Sequence, residues 1–260
     1  KFNRVSTNFY KRMSSLSRDE LIYMAKITEQ TERFDDMLGY MKSVLDTNEN
    51  LSVEERNLLS VAYKNSVGSR RTAWRVISTI ETKEEAKDSK NLPLLREYKS
   101  KIEQELHSIC EEIINLLDSK LIPSVKDNRK SEVFYLKMKG DYYRYIAEFA
   151  SGDKHKKAAD NAFDAYSKAN QLANDHLVTT DPIRLGLALN FSVFYYEVRN
   201  DPKQACQLAK QAFDDAIAEI EKIEEEDYKD STTIMQLIRD NLTLWTTELE
   251  QGEDAGDQED

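Results

Sequence analysis

Helical periodicity begins near Ser17, where Leu21, Met24, Ala25 and Thr28 follow at three- and four-residue spacing. Ser17 and Glu20 form a capping-box pattern, in which each side chain satisfies a free N–H of the other's first turn. A second helix is read from about Asp35 through Met37, Leu38, Met41 and Leu45 to the polar loop Asp46–Asn50. Ser52 and Glu55 repeat the box and open a long helix to about Ala86. After the charged linker Lys87–Asn91, Pro93 suits a first helical turn, and the pattern runs to Leu121, just before Pro123.

Asp127–Lys130 reads as a loop, followed by a helix from Ser131 to about Phe149 that Ser151 and Gly152 end. Another spans about 154–178, and Thr179–Asp181 leads into Pro182. Helix 182–199 is apolar on nearly every face, with Ile183, Leu185, Leu187, Ala188, Leu189, Phe191, Val193 and Phe194, which predicts a central, buried element. Asn200-Asp201-Pro202 starts a helix to about 223, and a ninth covers about 228–248. Short connections between long helices imply antiparallel neighbours, so the expected class is all-α. Three regions are expected: an extension over 1–16, a helical domain over 17–248, and a disordered acidic tail over 249–260. No convincing 34-residue self-similarity is present, which makes a tetratricopeptide array the weaker helical alternative.

Composition agrees with long helices. Only 7 Gly and 4 Pro punctuate 260 residues, of which 33% are charged. A net charge of −11 argues against a nucleic-acid partner while leaving room for a local basic pocket. Cys110 and Cys206 are far apart, so a disulfide framework or zinc site is not expected. A reducing setting is the simplest, cytoplasmic with the nucleus also open. No apolar run is long enough for a membrane span. Residues 1–18 carry Lys1, Arg4, Lys11, Arg12 and Arg18 with no acid, a composition open to an organellar transit segment and favouring a disordered extension.

Polar stripes carry the candidate chemistry. Lys64 and Arg71 are two turns apart on one helix face. Lys137, Asp141, Arg144 and Tyr145 fall at i, i+4, i+7 and i+8. Arginine's planar fork suits a phosphate, lysine adds a point charge, and a tyrosine hydroxyl completes the oxygen coordination. The same spacing also describes cations paired with acids on a solvated face, and spacing alone favours that reading. Asn190 shares a face with Val193 and Glu197 in the most apolar helix, and Asn241 lies between Leu237 and Leu244. Such amides serve either an extended peptide backbone or another side chain of the core.

The run Arg56-Asn57-Leu58-Leu59-Ser60-Val61-Ala62-Tyr63-Lys64-Asn65 closely resembles the first signature of the 14-3-3 family. Tyr228-Lys229-Asp230-Ser231-Thr232, continuing through Ile234 and Asn241 to Trp245, resembles the second. The segments from Phe134 to Tyr145 and from Pro182 to Glu197 are similar to the same family, and the likeness covers about 19–248. It implies nine antiparallel helices in a cup-shaped protomer of a dimer. It also implies an adaptor that binds phosphorylated serine or threonine segments of client proteins and regulates them in signalling.

Position by position, the resemblance gives Lys64, Arg71, Arg144 and Tyr145 as the phosphate-binding set, supported by Lys137 and Asp141. It gives Asn190 and Asn241, with Glu197 and Trp245, as holders of the ligand backbone. Leu189, Val193, Ile234, Leu237 and Leu244 match the apolar wall of the groove. Ile27, Thr31, Arg33 and Asp36 are expected to meet Tyr98, Lys101 and Glu105 across a two-fold axis, in a homodimer or with a paralogue. Intrachain ion pairs are the other reading of the charged members. Three departures stand out: Ser66 for an apolar residue, Thr233 for a common leucine, and Ala73 for a serine of many members. The first two are expected to alter local packing, and the third removes a phosphorylation point. The acidic tail reads as a solubilising end or a weak competitor for the groove. No P-loop, dinucleotide or nucleophile-elbow motif appears, and His107 and Cys110 at i, i+3 make an incomplete ligand pair. Neither catalysis nor a cofactor or metal is expected. The rival function is a tetratricopeptide-like scaffold for unmodified peptide tails.

Overall fold

The computed structural model describes residues 15–47 and 50–256, with side chains as far as Gln251. Most of the expected extension (residues 1–14) and the final four residues of the tail lie outside the described residues. Nine long helices and no strand are found among the described residues: α1 (Arg18–Gln30), α2 (Phe34–Leu45), α3 (Val53–Glu85), α4 (Leu92–Leu116), α5 (Arg129–Phe149), α6 (Gly152–His176), α7 (Pro182–Glu197), α8 (Pro202–Ala218) and α9 (Glu225–Gly256). They fall into two compact units, residues 1–113 and 114–260.

In the first unit, both capping boxes form as read. Ser17 accepts from the Glu20 backbone N–H while the Glu20 carboxylate accepts from that of Ser17 at 2.7 Å. Ser52 and Glu55 make the same exchange. Glu55 also takes a two-pronged ion pair from Arg18, through Nε at 2.9 Å and Nη2 at 3.0 Å. One buried carboxylate therefore caps α3 and ties the start of α1 to it. Glu32, at φ +55°, turns the chain between α1 and α2. Leu21 and Ala25 of α1, Met37, Leu38 and Met41 of α2, and Leu59, Tyr63 and Val67 of α3 are buried on the inward faces.

The second unit opens with a local departure from α-geometry. The chain passes from α4 through a π-turn over Leu117–Leu121 into a short helical turn, Ile122–Ser124. The helix thus does not stop ahead of Pro123. One wider turn re-phases it, and Pro123 sits in a first turn where its missing N–H costs nothing. Asn128 caps α5, which begins at Arg129 inside the stretch read as loop. Asp181 and Asp201 cap α7 and α8, each with proline at the first helical position. Helix α9 runs to Gly256, past residue 249, where the sequence reading starts the acidic tail.

Alanine sets how closely α5 and α6 approach. Ala158, Ala159, Ala162, Ala165, Ala169 and Ala173 line the buried face of α6, with Tyr166 the one large residue among them. Tyr166 stacks on Phe191 of α7 at 5.3 Å, and Phe194 closes the cluster. Opposite the ring is Gly140 of α5. A Cβ there would come within 2.7–2.9 Å of ring carbons of Tyr166. Gly140→Ala is therefore expected to destabilise the protein by about 1–3 kcal/mol, the usual range for overpacking. An unchanged urea midpoint would show that the ring has room to move.

Candidate functional site

Within the second unit the polar residues of α5, α6 and α7 meet at the Asp141 carboxylate. Lys137 Nζ lies 2.8 Å from its Oδ2. The Tyr166 hydroxyl donates to Oδ1 at 2.5 Å, and the Asn190 amide donates to the same oxygen at 2.8 Å. Arg144 donates through Nε to the Tyr166 oxygen at 3.2 Å and lies 3.9 Å from Asp141. Its guanidinium stacks over the Tyr145 ring at 4.9 Å. Asp141 and Arg144 are both buried, at 8% exposure.

The sharing is uneven. Asp141 already receives three donors, so it holds Arg144 in place more than it neutralises it. The carboxylate hydrogen-bonded to Arg144 belongs to half-exposed Glu197, at 3.3 Å. A buried guanidinium with one displaceable, solvent-facing carboxylate can accept a stronger anion without a new charge being buried. Tyr166 was missed in reading the sequence. Its signal was a single aromatic on an otherwise alanine face.

The sequence stripes on α7 and α9 are adjacent in the fold, since both helices pack into one cluster with Leu185, Met235, Ile238 and Trp245. Leu189, Val193 and Ile234 are partly buried against that cluster, while Leu237 and Leu244 are about half exposed. Between them, Asn241 is half-buried and makes no side-chain hydrogen bond among the described residues. Asn190 spends its N–H on Asp141 and keeps its carbonyl uncommitted. Trp245 is only 3% exposed and stacks on Tyr196 at 4.9 Å. It supports the wall from behind more than it lines it.

In the first unit, Lys64 is exposed and has neither hydrogen bond nor ion pair among the described residues. Arg71, two turns on, is half-buried. Ser66 between them is 1% exposed and donates to Asp35 at 2.8 Å. Asp35 in turn holds Arg70, which also donates to Glu105 at 2.9 Å. The departure at Ser66 is therefore a satisfied polar link and leaves no gap. Thr233 is exposed and returns its hydroxyl to the Lys229 carbonyl at 2.7 Å. Ala73 is half-buried. Of the expected dimer residues, Arg33 pairs with Asp36, Lys101 approaches the Tyr98 ring at 6.0 Å, and Glu105 serves Arg70. Thr31 and Tyr98 are exposed, and Ile27 is half-buried. Burial pushes the Cys110 thiol up to about 12 and raises that of Cys206. No helix among the described residues is long and apolar enough to cross a membrane.

Burial by itself would raise the Asp141 carboxyl. The charges of Lys137 and Arg144, with hydrogen bonds from Lys137 and Tyr166, outweigh it and hold the group below the usual carboxylate range. A depressed folded value means stability that is complete above the unfolded value of about 3.9 and lost as pH falls through the lower folded value. The stability difference between wild type and Asp141→Asn is expected to stay flat from pH 7 to about 4 and to shrink below it. A difference already shrinking between about pH 6 and 5 would contradict this assignment.

With this geometry in place, comparison with known proteins is specific. The family model described as 14-3-3 protein matches residues 24–246. The checkpoint signal transducer rad24 of Schizosaccharomyces pombe is 56% identical over 239 residues, covering 92% of this chain and 88% of that protein. A 14-3-3-like protein of Fucus vesiculosus is 60% identical over 240 residues, 92% of this chain and 94% of its own. Protein BMH1 of Saccharomyces cerevisiae is 56% identical over 246 residues, 94% and 92% respectively. Likeness of this extent through both helical units makes the chain a member of the 14-3-3 family.

Proposed function

We propose that this protein is a regulatory adaptor whose clients are held through phosphorylated serine or threonine. The observation that carries the reading is Arg144: buried, stacked on Tyr145, and hydrogen-bonded to one solvent-facing carboxylate, Glu197. A phosphate ester brings about −1.5 to −2 charges at neutral pH and three acceptor oxygens. It competes for Arg144 on better terms than Glu197 does. On the family resemblance, Lys64, which is exposed and has no ion pair among the described residues, Arg71 and Tyr145 are the remaining members of the phosphate-binding set. Lys137 and Asp141 keep the arginine oriented.

The carbonyl that Asn190 leaves open and the amide of Asn241 then pair with the client's extended backbone, with Glu197 beside them, while Trp245 backs the wall and does not touch the ligand. Leu189, Val193, Ile234, Leu237 and Leu244 test the residues flanking the phosphosite. The phosphate acts as trigger, and the amides give direction. The name of one relative, the checkpoint signal transducer rad24, suits such a role. The working compartment is the cytoplasm, with the nucleus as a second. Two grooves in one dimer would hold doubly phosphorylated clients with added avidity. The two-fold contact uses Ile27, Thr31, Arg33 and Asp36 of one protomer against Tyr98, Lys101 and Glu105 of its partner.

Fluorescence anisotropy with one peptide, phosphorylated and not, tests the trigger. Lys64→Glu and Arg144→Ala are each expected to weaken phosphopeptide binding by about 2–5 kcal/mol, with melting followed alongside because Arg144 is buried. Equal affinity for both peptide forms in the wild type would overturn the reading and favour a scaffold for unmodified tails. Light scattering at micromolar concentration is expected to give twice the chain mass. A monomer there would remove the two-groove arrangement.

A further inference from the structure

Helix α7 carries a second polar margin. On the side carrying Arg184, Leu185 and Ala188, it floors a cavity of about 220 Å³ between α6 and α8. The rims are amides: Asn170 and Asn174, one turn apart on α6, and Gln204 and Gln207 on α8. None of these four side chains makes a hydrogen bond among the described residues. Leu185 and Ala188 form an apolar strip beside Arg184, and Leu208 and Ala212 extend it along α8.

From this arrangement we infer a second binding site, on the face of α7 turned away from Asn190, that takes an extended, uncharged peptide segment by its main chain. Four observations choose the ligand. An amide side chain offers a donor and an acceptor together, which is what a main chain presents along its length. Amides one helical turn apart along each rim, about 5–6 Å, lie near the roughly 6.7 Å repeat of every second residue in an extended strand.

Charge is balanced as well. Arg184 spends Nη1 on the Leu177 carbonyl at 2.7 Å and faces Glu219, while Asp215 is held by Gln211 at 2.8 Å. The site therefore gives no surplus cation to a phosphate. Its volume is below the roughly 300–1,000 Å³ of cavities that enclose small molecules, which suits a stretch of chain laid across it.

Nothing in this site involves Lys64, Arg144 or Asn241, so it stands or falls separately from the phosphate-triggered reading. The probe is a blocked hexapeptide of serine, asparagine and glutamine, against the same peptide N-methylated along its backbone. Side-chain amide resonances of Asn170, Asn174, Gln204 and Gln207 are followed by transverse-relaxation-optimised NMR on the full chain. Saturable shifts at these amides with the plain peptide, lost on N-methylation, are expected. Gln204→Leu with Gln207→Leu is expected to weaken binding at least tenfold while leaving phosphopeptide affinity unchanged. No shift at millimolar peptide, equal shifts with the methylated peptide, or unaltered binding to the double variant would each overturn the site.

Discussion

A buried arginine is tolerable only when its charge is answered, and the second unit is organised around that requirement. Asp141 could have answered Arg144 directly. It is instead surrounded by Lys137, Tyr166 and Asn190, and Arg144 stands 3.9 Å away. The carboxylate's lone pairs are shared among three elements, and that sharing fixes the relative positions of α5, α6 and α7. The arginine keeps its orientation through Tyr166 and Tyr145 while its strongest anionic contact reaches solvent at Glu197. Under the proposed phosphate-triggered function, stability of the cluster and readiness for an incoming anion are two consequences of one arrangement. Breaking the ion pair outright would leave a buried charge unanswered, which costs several kcal/mol.

Packing makes that arrangement possible. Tyr166 reaches both Asp141 and Arg144 because its ring lies against Gly140, and because alanines along α6 let the helix settle close to α5. The ring then stacks on Phe191 and so joins the polar cluster to the aromatic core of α7. Gly140 is neither a turn nor a hinge. It is the absence of a methyl group at the point where a tyrosine must pass.

Helix starts were the most legible feature of the sequence, because a cap is a local exchange among four residues. Ser17 with Glu20 and Ser52 with Glu55 form as read. Helix ends were less legible. The π-turn before Pro123 and the continuation of α9 depend on backbone phase and on weak preferences that carry no sharp marker. The stripe of Lys137, Asp141 and Arg144 on α5 and the polar position Asn190 on α7 are brought together at one carboxylate. Tyr166 escaped because its partners lie 22 and 25 residues away in sequence, beyond any periodicity. Ser66 was noticed as an exception, but its partner Asp35, 31 residues earlier, was not readable from spacing.

The apolar character of α7 hid one more fact. A helix hydrophobic on nearly every side was expected to be plain core, and Leu185, Leu187, Phe191 and Phe194 are core. Yet its few charged and amide positions point in two directions. Asn190 and Glu197 turn toward the arginine cluster, and Arg184 turns toward the amide-rimmed cavity between α6 and α8. A rigid, centrally packed helix is the natural place for such positions, since its backbone cannot shift to accommodate a poor ligand. Polar residues at its margins then carry little packing energy of their own and are free to be set by recognition, which is why both faces merit reading as sites.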